Sequence, residues 1–239
     1  MNQKSTILVV EGNIGAGKST FLRLIKDYLS LNVIFEPHQR WQSVGGTQNL
    51  LELFYTDTQR WAYTFQSYAF ITRIIEQEAQ ILANPEAIHL SERSVFSDRY
   101  CFAKNAYENG FMTSLEWKLY QEWFSWLVDR SLILPQGFIY LQTDPRVCYE
   151  RIAKRARHEE ATVALTYLNQ LHDKHEQWLV HRQGITDSLK EVPVLVLPCN
   201  QEFEETTEVI QKYAADIAQF CTQQYGITSL EVKNLSLSL

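Results

Sequence analysis

The sequence predicts an α/β fold in which a five-stranded parallel sheet carries helices on both faces. Five short runs of apolar and β-branched residues alternate with long amphipathic segments, and this order is typical of parallel strands joined by helical crossovers. The first run, TILVV, leads directly into the pattern G-x-x-x-x-G-K-S, which favours a strand, a phosphate-binding loop and a helix in succession. We expect one domain over residues 1–239, because this length suits a single α/β core and no repeat or linker interrupts it.

The elements follow from composition and from the residues that bound them. Strands are expected at 6–10, 32–37, 87–92, 137–142 and 192–197. Helices are expected within 17–29, at 58–83, around 98–108 and 114–130, from Asp144 onward, at 161–182 and at 204–223. Asp144 is the expected N-cap of its helix, with Pro145 at the first helical position. The tail at about 225–239 fits either a short extra strand or a frayed end.

Composition and charge disfavour several classes of protein. A net charge of −6 argues against general nucleic-acid binding, and no apolar stretch approaches the roughly 20 residues of a membrane span. The four cysteines are far apart, which is typical of reduced thiols rather than a disulfide framework. Few residues precede the first strand, so no signal peptide is expected and the predicted location is the cytoplasm.

The loop EGNIGAGKST predicts a site for the triphosphate of ATP or GTP. Its glycines allow backbone N–H groups to surround phosphate oxygens at the start of a helix. Lys18 supplies a cation to the β and γ phosphates, and the Ser19 hydroxyl can ligate Mg²⁺. The residues expected to contact the nucleotide are Gly12, Asn13, Ile14, Gly15, Ala16, Gly17, Lys18, Ser19 and Thr20.

Three charged residues follow the second and third predicted strands. Glu36 comes at the end of one, and Glu92 and Arg93 at the end of the other. Ligands of open α/β sheets bind at the carboxyl ends of the strands, so these groups are expected to converge on the phosphate loop. The alternative for Glu36 is an ion pair at the sheet edge without a catalytic role. The guanine-reading N-K-x-D motif of regulatory GTPases does not occur, which disfavours a switch protein.

Further motifs make the sequence similar to the deoxynucleoside kinase family, in its deoxycytidine/deoxyguanosine kinase branch. The resemblance runs from the first strand nearly to the last helix and includes EPHQRW, RWAYTFQSYA, ERSVFSDRY and RIAKRARHEE. It implies a P-loop kinase architecture that transfers phosphate from ATP or another NTP to the 5′-hydroxyl of a 2′-deoxynucleoside. It also implies a homodimer, formed through helices near 61–75 and 114–130.

The resemblance implies roles for the charged residues. Glu36 resembles the general base for the 5′-hydroxyl, and Arg93 resembles the arginine that orients this base. Glu92 looks like the acidic partner of Mg²⁺ alongside Ser19. The segment at about 151–161 resembles a short lid that closes over the nucleotide through Arg151, Arg155 and Arg157. The alternative for the lid segment is a solvated helical face with i,i+4 Arg–Glu pairs.

An acceptor pocket is implied in the same way. Tyr55 and Glu160 resemble the pair that binds the sugar 3′-hydroxyl, and Gln66 resembles the amide that reads the base edge. Phe65 and Phe102 look like aromatic walls of the base pocket. Trp41, Leu51, Phe54 and Ile14 are expected to complete it. For each apolar residue the alternative is ordinary core packing, since 13% of the chain is aromatic.

Base preference is expected to depend on Arg73 and Asp98. An Arg and an Asp occupy these places in the cytidine and purine branch, where they can read polar exocyclic groups and leave no room for a 5-methyl group. Thymidine is therefore disfavoured. Ala69 resembles the deoxycytidine kinase pattern, whereas KRAR and FAKNAYENG look nearer to deoxyguanosine kinase. The sequence therefore does not decide whether cytosine, guanine or adenine is the preferred base.

Two other functions fit parts of the sequence. A nucleoside monophosphate kinase also uses a phosphate loop and an arginine-rich lid, but its acceptor needs no carboxylate base. A non-catalytic subunit that kept the fold is expected to have lost parts of the machinery, and none is lost here.

His172 and His175 have the spacing of a metal pair, but no third ligand is evident and Mg²⁺ prefers oxygen.

Overall fold

The structure is a computed structural model that describes residues 6–130, 134–203, 206–230 and 232–233. Its centre is a five-stranded sheet with the order β2-β3-β1-β4-β5, in which every pair of neighbours is parallel. The strands are β1 Thr6–Glu11, β2 Asn32–Ile34, β3 Ile88–Glu92, β4 Gly137–Gln142 and β5 Val194–Pro198. The predicted parallel sheet with helices is thereby confirmed.

Helices connect the strands and follow the last one. They are α1 Lys18–Tyr28, α2 His38–Gln42, α3 Leu50–Thr56, α4 Thr58–Ala83, α5 Val95–Ser97, α6 Ala103–Glu108, α7 Ser114–Arg130, α8 Pro145–Arg155, α9 Leu165–His175, α10 Asp187–Lys190 and α11 Thr207–Tyr225. A π turn at Asp98–Phe102 joins α5 to α6, and another at Glu176–Val180 extends α9. None of the helices in the described ranges is long and apolar enough to span a bilayer.

Most predicted elements are present, with shifted ends. Asp144 caps α8 by accepting the backbone N–H of Arg146 at 2.8 Å, as expected. The second strand stops at Ile34, before Glu36 and Pro37, and α2 and α3 were not predicted. The helix expected at 161–182 starts only at Leu165. In the tail, the described residues 226–230 and 232–233 form no strand, and the other tail residues after 230 lie outside the described residues.

One face of the sheet packs against aromatic rings from the helices that surround α5. Phe138 of β4 is fully buried on this face. Its ring meets Phe96 and Trp178 edge-to-face, with centroids 6.4 and 5.0 Å apart. Phe96 also meets Phe124 of α7 at 5.8 Å. These contacts tie the central sheet to α5, α7 and the turn after α9.

The opposite face is covered by α1 and α11. Successive residues of a strand face opposite sides of the sheet, so Gly137 faces the side opposite to Phe138. There the Cα of Gly137 lies against Phe220 and Tyr225 of α11. The rings of Phe21 in α1 and Tyr213 in α11 are 6.1 Å apart. Helices therefore cover both faces, and the carboxyl ends of the strands are left to form a site.

Replacing Phe138 with alanine tests this packing. We expect Phe138→Ala to lower the free energy of unfolding by about 3–5 kcal/mol, because it removes a fully buried ring and leaves a cavity. Urea unfolding at one fixed protein concentration measures the change. Tyr149→Ala is the matched control, since Tyr149 is 45% exposed and its truncation is expected to change stability by about 0.5 kcal/mol or less. Equal effects of the two substitutions would contradict this account of the core.

Candidate active site

A cleft of about 880 Å³, part of it open to solvent, lies at the carboxyl ends of the strands. Every predicted site residue lines it except Gly12, Asn13, Ala16 and Arg151. The first three are buried in the phosphate loop itself. The strand-end groups, the aromatic pocket and two lid arginines are thus brought together in one space.

The phosphate loop is held between α8 and the loop that follows β5. Gly15 and Gly17 have φ values of +78° and +90°, which residues with a side chain rarely adopt. A Cβ at Gly15 would overlap the carbonyl oxygen of Cys148, and a Cβ at Gly17 would lie 2.7 Å from the ring of Phe203. Glycine is required at both positions because of these close approaches.

Lys18 is buried at the start of α1. Its Nζ donates to the carbonyl oxygens of Asn13 and Gly12, at 2.8 and 3.3 Å. Burial and the nearby Arg93 lower the pKa of Lys18 to about 7, although Glu92 and Glu36 oppose the shift. The lysine therefore sits in a site that favours its charged form only when additional negative charge is present.

Ser19 and Glu92 lie together beside the loop. The Ser19 hydroxyl donates to Oε1 of Glu92 at 2.6 Å, and Glu92 is the last residue of β3. A hydroxyl and a carboxylate are the oxygen ligands that Mg²⁺ accepts when nucleotide phosphates and water complete its shell. Within the described ranges, no group of three or more His, Cys, Asp or Glu side chains could hold a metal ion by itself.

Arg93 adopts an unusual backbone conformation at the end of β3. Its φ is +60°, and its backbone N–H donates to the carbonyl of Val10 at 2.9 Å. The side chain is buried, with Nε 3.6 Å from Oε1 of Glu36 and its guanidinium carbon 4.6 Å from the centre of the Phe102 ring. Its Nη1 is buried without a hydrogen-bond partner. Such a strained residue with an unused donor is typical of a ligand-binding position.

Glu36 lies two residues beyond the end of β2, with only 6% of its side chain exposed. Its Oε1 accepts from Nη2 of Arg73, and its Oε2 is 3.1 Å from Nε2 of His38. Burial alone would raise the pKa of Glu36, but Arg73, His38 and Arg93 outweigh it and hold the pKa well below its usual range. The site therefore contains a buried carboxylate that stays ionised.

Arg73 joins two carboxylates. It extends from α4, donates through Nη1 to Asp98 and through Nη2 to Glu36, and lies 5.4 Å from the centre of the Trp41 ring. Burial raises the pKa of Asp98 to about 7, although Arg73 opposes the shift. The predicted Arg–Asp pair thus exists, and the same arginine also contacts Glu36.

Aromatic rings form another part of the cleft wall. Phe65 stacks on Phe54 with centroids 4.7 Å apart and meets Trp41 edge-to-face at 5.6 Å. Gln66 is 1% exposed, and both its amide oxygen and its amide nitrogen lack a hydrogen-bond partner. A buried amide with no partner is costly, so its position in the cleft favours a ligand that satisfies it.

The arginines of the lid segment divide into two groups. Arg155 and Arg157 both pair with Glu160, whose side chain is buried. This pairing with a buried carboxylate disfavours the solvated i,i+4 alternative. Burial, Tyr167 and Glu160 raise the pKa of Tyr55 well above its usual range, as expected if Tyr55 and Glu160 share one end of the cleft.

Arg151 has other partners. It contacts Glu202 through Nε at 3.0 Å and donates to the carbonyls of Gln201 and Cys199 at 2.8 and 3.0 Å, which connects α8 to the loop after β5. Its Nη1 also donates to the carbonyl of Ala16 in the phosphate loop at 3.4 Å. Arg151 does not line the main cleft but shares a neighbouring cavity with Arg155, and closure of the three arginines over a nucleotide stays a prediction.

Three residues of the cleft were not predicted. They are Arg23, His38 and Tyr167. His38 had a signal in the sequence, because it lies two residues after Glu36 in EPHQRW. Arg23 and Tyr167 face the cleft from α1 and α9, and their sequence context does not distinguish them from surface helix residues.

Comparison with known proteins agrees with the geometry. The deoxynucleoside kinase family model matches residues 8–222. Deoxycytidine kinase 2 of Gallus gallus is 43% identical over 239 aligned residues, covering 89% of each chain. Deoxyguanosine kinase, mitochondrial, of Xenopus laevis is 39% identical (84% of this chain, 83% of the relative), and deoxycytidine kinase of Homo sapiens is 42% identical (83% and 85%). The phosphate loop, the strand-end carboxylates and these matches together show that the chain belongs to the deoxynucleoside kinase family.

Proposed function

We propose that the protein transfers the γ-phosphoryl group of ATP, or of another nucleoside triphosphate, to the 5′-hydroxyl of a 2′-deoxynucleoside in nucleotide salvage, with Glu36 as the general base. The observation that carries this proposal is the ionised Glu36 carboxylate, buried in the same cleft as the phosphate loop. A carboxylate of low basicity suits phosphoryl transfer through a loose transition state, because the hydroxyl proton leaves late.

The other charged groups have complementary roles in the proposal. Arg93 orients Glu36 through the 3.6 Å contact and offers its unpaired Nη1 to the transferred group. Lys18 binds the β and γ phosphates. Ser19 and Glu92 would hold Mg²⁺, which supplies neutralisation of the phosphate charge. Arg155 and Arg157, released from Glu160, would close the lid segment over the donor.

At the acceptor end, Arg73, Asp98 and Gln66 read the base edge. Tyr55 and Glu160 bind the 3′-hydroxyl, and the rings of Phe65 and Phe102 flank the base. Deoxycytidine is the first candidate acceptor, since two of the relatives above are deoxycytidine kinases, and deoxyguanosine and deoxyadenosine are the alternatives. A nucleoside monophosphate kinase is not favoured, because Glu36, Asp98 and Glu160 place carboxylates in the acceptor end of the cleft.

We also propose one domain over residues 1–239, a homodimer and a cytoplasmic location. The single sheet supports the first. Large apolar side chains at least 38% exposed on α4 and α7 support the second; they are Ile71, Ile75, Leu82, Leu115, Leu119, Trp123 and Trp126. Four free, buried cysteines suit a reducing compartment.

Removing the base tests the proposed reaction. We expect Glu36→Gln to lower kcat for deoxycytidine by about 10²-fold or more, because the amide cannot accept the hydroxyl proton, while ATP affinity is unchanged. Coupled kinetics and ATP titration measure the two effects. Glu76→Gln is the control, since Glu76 pairs with Arg40 on the outside of α4 and is not part of the cleft. Near-normal turnover in Glu36→Gln, or preferential phosphorylation of dCMP by the wild type, would contradict the proposal.

A double substitution tests base selection. We expect Arg73→Met with Asp98→Ala to raise the thymidine/deoxycytidine ratio of kcat/KM by at least about tenfold, because the polar readout is lost and space for a 5-methyl group is gained. Assays across deoxycytidine, deoxyguanosine, deoxyadenosine and thymidine measure the ratio and identify the preferred base. Arg40→Met, an exposed substitution outside the cleft, serves as control. An unchanged ratio would contradict the proposed role of Arg73 and Asp98 in base selection.

Proton uptake tests the donor site. The pKa of Lys18 is about 7 in the free protein, so at pH 8 most molecules carry a neutral Lys18 amine. A bound triphosphate stabilises the ammonium form. Binding at pH 8 is therefore expected to take up as much as about one proton, whereas binding at about pH 6 is expected to take up only a small fraction of a proton. Titration calorimetry in HEPES and Tris detects this as a buffer-dependent enthalpy. Lys18→Arg, which stays charged, is expected to abolish the dependence; a wild-type enthalpy independent of buffer at pH 8 would contradict the assignment.

A further inference from the structure

His38 contacts Oε2 of Glu36 and has no part in the reaction described so far. It is the first residue of α2, and its Nε2 lies 3.1 Å from Oε2 of Glu36. Its ring meets Trp41 edge-to-face with centroids 5.1 Å apart, which fixes the plane of the imidazole. Its side chain is 26% exposed, and it lines both the cleft and a second cavity along the outer side of Glu36.

The two carboxylate oxygens of Glu36 have different neighbours. Oε1 accepts from Arg73 and lies 3.6 Å from Arg93. Among the residues that the structure describes, His38 is the side chain within ion-pair distance of Oε2. Each carboxylate oxygen can accept two hydrogen bonds, so Oε2 keeps a lone pair for a hydroxyl beside His38. Oε1 accepts from Arg73 and faces the guanidinium of Arg93 at 3.6 Å, which disfavours a proton there.

The contact also defines which ring nitrogen is the donor. An ionised carboxylate only accepts hydrogen bonds, so Nε2 of His38 must carry a hydrogen. Nδ1 is buried without a hydrogen-bond partner, so the ring is held to Glu36 through Nε2. His38 can thus hold Oε2 in place by donating Nε2–H.

We propose that His38 is a positioning residue for phosphoryl transfer, whose imidazole donates Nε2–H to Oε2 of Glu36 and holds that oxygen toward the acceptor hydroxyl. The inference rests on the proposed function. In the step itself the 5′-oxygen bonds to the γ phosphorus, the bond from that phosphorus to the ADP oxygen breaks with its electron pair going to ADP, and the hydroxyl proton moves to Oε2. The proton on Nε2 of His38 stays where it is.

Two substitutions separate positioning from simple packing. We expect His38→Leu to lower the single-turnover rate with deoxycytidine and saturating Mg-ATP by about tenfold or more, with both KM values within about twofold of the wild type. His38→Gln keeps an N–H donor, and its single-turnover rate is expected within about threefold of the wild type.

His172 provides the matched control. Its side chain is also 26% exposed and its Nε2 also faces a glutamate, Glu176, at 3.9 Å, but it lies on α9 outside the cleft. His172→Leu and His172→Gln are expected to keep the wild-type single-turnover rate and KM values. Thermal unfolding of all four variants reports whether a slow variant is also a destabilised one.

The outcomes are distinct. Equal losses in His38→Leu and His38→Gln, no loss in His38→Leu, or a loss in His38→Leu that lies in KM rather than in the single-turnover rate would each overturn the inference about His38. If the wild type phosphorylates no deoxynucleoside, it is the proposed function that fails. If the wild type is active, Glu36→Gln is slow and His38→Leu is not, the function stands and His38 alone is wrongly assigned.

Discussion

Attraction between buried arginines and buried carboxylates organises the inner end of the cleft. Moving Glu36 and Asp98 out of water is costly, and Arg73 offsets this cost for both because its guanidinium contacts one with each terminal nitrogen. Arg93 adds a second positive charge on the same side of Glu36. These four groups come from the segment after β2, from α4, from the π turn and from the end of β3. The ion pairs therefore fix how four separate parts of the chain meet.

The direction of the strands explains why much of the site was predictable. Parallel strands present their carboxyl ends at one edge, so any charged residue that follows a buried strand is brought to that edge. Glu36, Glu92 and Arg93 were identified by this rule, and the phosphate loop by its glycine spacing. The rule depends only on strand direction, which is why it held although β2 ends before Glu36.

Other features depend on contacts between distant segments, which periodicity does not report. Arg151 has the same local sequence context as Arg155, yet it bonds to carbonyls some 50 positions away, beyond β5. The short helices α2 and α3 have too few turns for an apolar period to emerge. Packing against α4 and the lid segment stabilises α3, and α2 packs on α3 and bonds to Thr72 of α4 through Trp41. The position of His38 follows from α2, so its contact with Glu36 could not be derived without that helix.

The phosphate loop shows what dense packing does for a binding site. Cys148 closes it on one side and Phe203 on the other, so its backbone has no room to relax into other shapes. The loop loses its conformational entropy when the chain folds, so nucleotide binding does not have to order it. The affinity of this preorganised cradle is then set by the phosphate contacts themselves. The adjoining segments that carry Cys148 and Phe203 are consequently part of the recognition of a ligand that they need not touch.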